Sequence, residues 1–510
     1  GIGGSATVIT NGPVSVTQTG TSASTNQSAA IAAISVGGDG GVGQSGTSGG
    51  TGGSALGDVT VTVNSATSAS NGNAILGAGT AVDAVFAKSL GGEGGAGLSD
   101  ANSSTGGEGG GGGNVTVNVA LDDGQSIVAA ASSAGSDSGR AIVAQSIGNF
   151  GGAGGDGNAV FGQPGSAGGG GSGGDVTVTM TSGSLTTDGS TQQDTDLNYA
   201  HGILAQSVGG GGGDGGDFQG LFGGKGGAGG KGGYGGSVVV ANHGTIKANG
   251  IHANGILAQS IGGGGGSGGV SDGLIVALGG SGGDGGESNP VNVTNTGSIS
   301  TTGYGASAIL AQSIVGAGGA AGVADATLSV GATGGSDASE PAGTTTVANA
   351  GSLSTAGNAA IGLHVQSIGG GGGSASGAPS EDGSTSYGVF ALGTNGGGGG
   401  DGGAVKITDI GSITTGGNYA YGLLAQSVGG GGGESGGGGG LFTIALGGAG
   451  GGGNSDPVHV IEVLQQGAGG GVQEADLEEP SGKPGQPCLE ADGGYIVHHH
   501  FHRRVGRYDP

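Results

Sequence analysis

A chain of 510 residues with 145 glycines, 3% aromatic residues and a single cysteine has little material for a conventional core and no disulfide to replace one. Its formal net charge of −26, with 10 basic residues in all, excludes a surface that could neutralise a phosphate backbone, so nucleic acid is set aside as a partner. No run approaches the roughly 20 apolar residues of a membrane helix, and we expect no direct membrane insertion.

Along the chain one unit recurs. Its clearest form is GILAQSVGG at 202–210, repeated almost letter for letter at 255–263, and looser forms end at Ser35, Ser89, Ser146, Ser313, Ser367 and Ser427. These serines are spaced 53 to 61 residues apart, so the chain reads as eight copies of one unit. Residues 1–190 hold three degenerate copies, with strands expected near 59–63, 115–119 and 176–180, and residues 191–457 hold five regular ones.

Within each copy, the fourth position before the serine is a branched aliphatic residue (Ile31, Val85, Ile142, Ile203, Ile256, Ile309, Leu363, Leu423), and the second is Ala, or Val365 in one copy. The alternate positions are tolerant. That period of two predicts a strand whose aliphatic, Ala and Ser side chains face a narrow interior. An earlier strand, 291–299 with counterparts at 238–246, 345–353 and 405–413, carries an Asn-x-Gly bend, with Asp409 in place of Asn in the last. A third apolar patch follows the glycine run, at 274–278, 326–330, 389–392 and 441–446. Three short strands per copy in a uniform array predict an all-β fold, an elongated right-handed parallel β-solenoid (β-helix) of about eight ~55-residue repeats with flexible glycine-rich loops. Its end strands would be exposed edges, and the edge near 457 is expected to associate.

The tail, 458–510, breaks the pattern: from Ile461 onward the repeat is lost in mid-strand, and Cys488 and four histidines at 498–502 appear. We read it as disordered or frame-shifted sequence, with a native polar linker as the other reading. The histidines lack spaced carboxylate or cysteine partners and are not taken as a metal site. Starting at Gly1 without Met, the chain is expected to be a fragment of a longer protein.

Chemistry is sparse. Gly-Gly-x-Gly-x-Asp at 279–284 and 151–156 is similar to a calcium-binding nonapeptide, but Gly286 and Asn158 stand where an apolar residue is needed. Gly232 follows Gly230 and Lys231 where a phosphate loop needs Ser or Thr. Thr-x-Thr pairs at Thr60/Thr62 and Thr177/Thr179 suit an ice-binding face, yet threonine is a good strand residue and the regular copies lack the pair, so strand propensity is the reading adopted. Asp39, Glu93, Asp156, Asp214, Asp284 and Asp401 are read as solubilising. His201, His252 and His364 occupy different places in their copies and suggest no cluster. No catalytic, cofactor or metal residue is assigned, and no enzyme is expected. A polysaccharide lyase would need clustered acids and bases, and the central repeats offer only Lys225, Lys231, Lys247 and Lys406. The feature that repeats on the outward face is a candidate adhesive ladder of Gln145, Gln206, Gln259, Gln312, Gln366 and Gln426.

Units reading Gly-Ser-Ile-x-Thr-x-Gly, then Tyr-Ala-x-Gly-Ile-Leu-Ala-Gln-Ser-Val followed by glycines, at 411–433, 183–213, 244–266 and 297–313, resemble the glycine-rich passenger repeats of Gram-negative, especially alphaproteobacterial, autotransporter outer-membrane proteins. The resemblance implies a secreted β-solenoid displayed at the bacterial cell surface, with a translocator barrel in the full-length protein outside these residues. It implies a structural or adhesive module, with host or environmental surfaces or other cells as partners. The alternatives are a non-binding stalk that projects another domain and, less favoured, a polysaccharide-degrading β-helix enzyme.

Overall fold

The computed structural model describes residues 1–17, 28–43, 48–55, 57–65, 73–79, 82–99, 104–130, 139–158, 163–188, 199–337, 340–376, 390–436, 442–444 and 452–462. Gly1–Glu462 form one unit. The tail beyond Glu462, with Cys488 and the histidines at 498–502, lies outside the described residues.

Among the described residues every strand pairing is parallel, and each ladder takes one strand from each successive turn of the chain. The first ladder has nine strands, from Ala6–Thr10 to Val458–Glu462; the second has eight, from Val14–Thr17 to Ser412–Thr415. The third also has eight, from Ser28–Val36 to Tyr421–Val428. Strands stacked in sequence order in three ladders make a parallel β-solenoid, as the repeat predicts. All eight repeated serines stand in one column of the third ladder, so the sequence alignment of the copies is their physical register.

The inward positions build one continuous core. Ile203, Ala205 and Ser207 are wholly buried, and Val238, Val240 and Ile246 join them from the other two ladders. Each fully buried aliphatic side chain contributes about 1.5–3 kcal/mol, and stacking lets each coil cover the next. The serine has a particular task. Ser207 Oγ donates to the Gly174 carbonyl at 2.8 Å and accepts the Gly236 N–H at 2.7 Å, tying the third ladder to the segments that enter the first. Ser146 makes the same pair of bonds to Gly113 and Gly174.

The segment expected as one bent strand is two. Val291–Asn295 belongs to the first ladder and Ser298–Thr301 to the second, so the Asn-x-Gly bend is a corner of the solenoid. At that corner Asn242 Nδ2 donates to Asn295 Oδ1 (2.7 Å), Asn295 to Asn349 (2.7 Å) and Asn349 to Asp409 (2.8 Å), a buried amide ladder. The apolar patch after the glycines is also divided: Leu274 and Ile275 are exposed in a turn between Ser271–Gly273 and Val276–Leu278, which enter two short ladders. Val389, Leu441, Ala445 and Leu446 lie outside the described residues.

The glycine runs correct the expectation of flexible loops. Leaving the third ladder, Gly209, Gly212 and Gly215 donate to the same run of the next coil, at Ile261, Gly264 and Ser267, over 2.8–2.9 Å. Gly210, Gly213 and Gly216 donate to the returning run of the preceding coil, at Gly171, Gly168 and Gly165, over 2.8–3.0 Å. The returning run follows the same rule, with Gly227, Gly230 and Gly233 bonded to Gly216, Gly213 and Gly210. A period of three with no bond inside the run is the pattern of a polyproline II segment. The packing explains the composition. A Cβ on Gly212 would stand 1.9 Å from the Gly230 carbonyl oxygen and one on Gly213 2.3 Å from that of Gly152, whereas every third position points outward and carries Asp214, Lys231 or Tyr234. Glycine therefore predominates at two positions in three, with Ala167, Val315, Ala321 and Ala375 among the exceptions, and inter-coil hydrogen bonds offset its ordering entropy.

Candidate functional site

The six glutamines of the candidate adhesive ladder occupy adjacent positions on the outward face of the third ladder. Their strands place them there by alternation: Ile203, Ala205 and Ser207 point inward, and Leu204, Gln206 and Val208 outward. The side chains bond to one another. Gln145 Nε2 donates to Gln206 Oε1 at 2.6 Å, and the chain continues to Gln259 (2.5 Å), Gln312 (2.6 Å), Gln366 (2.5 Å) and Gln426 (2.5 Å). Each interior amide thus donates once and accepts once within the protein, and retains one N–H and one lone pair. Beside this column lies a second, of Phe86, Val143, Leu204 and Leu257, which form a buried cluster of their own on the same face. His364 stands in that column between Leu310 and Leu424. Burial lowers its pKa to about 4, and its Nε2 has no partner among the described residues.

The dispersed acids have a local role beyond the solubilising one read from the sequence. Asp214 Oδ1 accepts the Ser267 N–H at 2.8 Å, Asp217 that of Val270 at 2.7 Å, and Asp284 that of Ser336 at 2.9 Å. Asp39, Asp156 and Asp401 do the same for Glu93, Asp217 and Asn454. A carboxylate on one coil thereby satisfies an outward N–H of the next. In the two calcium-like motifs, Asp156 and Asp284 are both engaged in this way, and among the described residues no three His, Cys, Asp or Glu side chains converge as a metal-binding group. Lys231 donates to the Tyr234 hydroxyl at 3.0 Å and approaches Glu287 at 3.9 Å.

At the corner between the second and third ladders, His201 and His252 keep different places in their coils but flank one tyrosine. Tyr199 lies 5.9 Å from His201 and 6.1 Å from His252, ring centre to ring centre, so the two histidines meet at one corner. His201 is buried and its Nδ1 accepts the Asn254 N–H at 3.0 Å; Asn254 in turn accepts the Ser307 N–H at 2.8 Å. One coil earlier, Arg140 makes a two-pronged ion pair with the buried Asp83, at 3.1 and 2.8 Å, and Asp83 also accepts the Arg140 N–H. Burial first, then Arg140 and His252, lowers the His201 pKa to about 3. The ring is neutral near pH 7.

The lattice is interrupted at Asp337, in a position that Gly285 fills one coil earlier. Asp337 is 8% exposed, its Oδ2 lacks a partner among the described residues, and it borders an open pocket of about 460 Å³ with Lys231, Asp284, Glu340 and Asp401. Burial, with Asp401 and Asp284 nearby, raises its pKa to about 6.

No family model matches this chain, and comparison with curated proteins and with solved structures finds no match.

Proposed function

We propose that this chain is a structural module of a secreted, surface-displayed autotransporter-type passenger, a repetitive scaffold rather than a catalyst. The observation that supports this reading is the continuity of bonding between coils, in which the glutamine ladder, the asparagine ladder and the glycine lattice each carry hydrogen bonds from coil to coil. Such an array resists local opening, because each coil can be released only by breaking its bonds to two neighbours. Adhesion through the glutamine ladder is the finer form of the proposal, and it uses the one N–H and one lone pair that each amide retains. The non-binding stalk is the second reading, favoured by the bonding of these amides to one another.

Two experiments bear on this. Protease treatment of intact producing cells, followed by an antibody against the chain, should remove it from the surface; a chain protected until the cells are lysed contradicts display. Attachment of producing cells should then be compared with a Gln206→Ala, Gln259→Ala, Gln312→Ala variant. Reduced attachment supports adhesion, and unchanged attachment supports the stalk.

A further inference from the structure

The Thr-x-Thr pairs acquire a different meaning once the coils are stacked. Parallel register places Thr7, Thr60, Thr116 and Thr177 in one outward column of the first ladder, and Ile9, Thr62, Asn118 and Thr179 in the next. Six of these eight adjacent positions are threonine, and none carries a charge, on a chain whose net charge is −26. Later coils lose the pattern, with Val239 and Ala241, then Asn292 and Thr294, then Thr346 and Ala348 at the same places. Strand propensity accounts for threonine anywhere in the ladder, Thr294 and Thr346 included, but not for an unbroken column of four, Thr7, Thr60, Thr116 and Thr177, in consecutive coils on one outward face.

We propose that this threonine face binds ice. The backbone sets the array: neighbouring strands lie about 4.8 Å apart, and alternate residues along a strand about 6.6 Å apart. These repeats are close to those of water oxygens on the faces of hexagonal ice. β-branching restricts χ1, so each hydroxyl and methyl is held in place before ice arrives. The six hydroxyls have no hydrogen-bond partner among the described residues, and they are half-buried or exposed. Beneath them Val59, Val61, Val115, Val117, Val176 and Val178 are wholly buried and fix the strands. The ligand class is crystalline water, bound by methyl groups that fit its surface and hydroxyls that complete its hydrogen bonds.

The test is inhibition of ice recrystallisation by the full chain, with albumin at equal mass as the reference. The proposal expects smaller ice grains with this protein, and a Thr60→Lys, Thr116→Lys, Thr177→Lys variant that needs at least about tenfold more protein for the same effect. A Thr294→Lys, Thr346→Lys variant, altered on the same ladder in later coils, should match the parent. A Thr60→Ser, Thr116→Ser, Thr177→Ser variant keeps the hydroxyls, removes the methyl groups, leaves the buried valines unchanged, and should also weaken. Grains no smaller than with albumin, or full activity in the lysine variant of the early coils, overturn the proposal.

Discussion

Three adjacent glycines test the lattice most sharply. Gly264 points outward, and a Cβ there meets only the Ala317 carbonyl oxygen at 3.8 Å, an ordinary contact. On Gly265 the Cβ would stand 1.9 Å from the Gly283 oxygen, and on Gly266 1.8 Å from that of Gly213. Gly264→Ala should therefore be neutral or stabilise by up to about 1 kcal/mol, through reduced entropy of the unfolded chain. Gly265→Ala forces two runs apart. It weakens the 2.8 Å bond from Gly265 to Ala317 and the 2.8 Å bond from Gly283 to Gly266. Two bonds at about 1 kcal/mol each, with overpacking strain of about 1–3 kcal/mol, give a loss of about 3–5 kcal/mol. Gly266→Ala should behave alike. Urea denaturation of the full chain followed by far-UV circular dichroism, with hydrogen exchange across 262–286 to localise the effect, reads the difference. Equal effects at all three positions would refute the period-three packing.

Other expectations follow from the buried polar groups. The unfolded chain protonates His201 near pH 6.5 but the folded one only near 3, so stability is lost as pH falls through that window. Between pH 7 and 5 the loss amounts to about 2 kcal/mol, and His201→Asn, which copies Asn254, should reduce the acid sensitivity by that amount in denaturation curves. Asp337 works in the opposite direction: its raised pKa removes stability as pH rises from 3.8 to about 6. Asp337→Asn should then gain about 1–2 kcal/mol at pH 7, allowing for solvent screening in the open pocket, and nothing near pH 3.5; an equal gain at both pH values would exclude the electrostatic cause. Ser207→Ala leaves the buried Gly236 N–H without its acceptor and should cost about 1–3 kcal/mol, seen as faster exchange of that amide.

The solenoid was legible because its signal is repeated and alternates. Ile203, Ala205 and Ser207 are constrained by the interior, whereas Leu204 and Gln206 are not, and eight copies expose the difference. The glutamine column followed from the same alternation, but its hydrogen bonds did not, since a repeated amide looks alike whether it faces a ligand or its neighbour. The corner between the second and third ladders was hidden for another reason. Arg140, His201, Asn254 and Ser307 follow one another coil by coil there, and residues of different chemistry leave no repeated letter in the sequence. The glycine runs gave too little information in a different sense: with no side chains, only the outward third positions, such as Asp214 and Ser267, betray a period. The Asn-x-Gly bend was recognised as a bend, but not as a passage between ladders, because a short strand on each side reads as one when the corner takes only two residues.

The glycine runs are ordered parts of the solenoid, bonded from coil to coil. Hydrogen exchange resolved over 209–216 and 262–269 tests this order most directly. The amides of Gly209, Gly210, Gly212 and Gly213, and their counterparts Gly262, Gly263, Gly265 and Gly266, should exchange as slowly as those of the adjacent strands Ile203–Val208 and Ile256–Ile261. Exchange of these amides at the rate of an unstructured chain, beside protected strands, would contradict it.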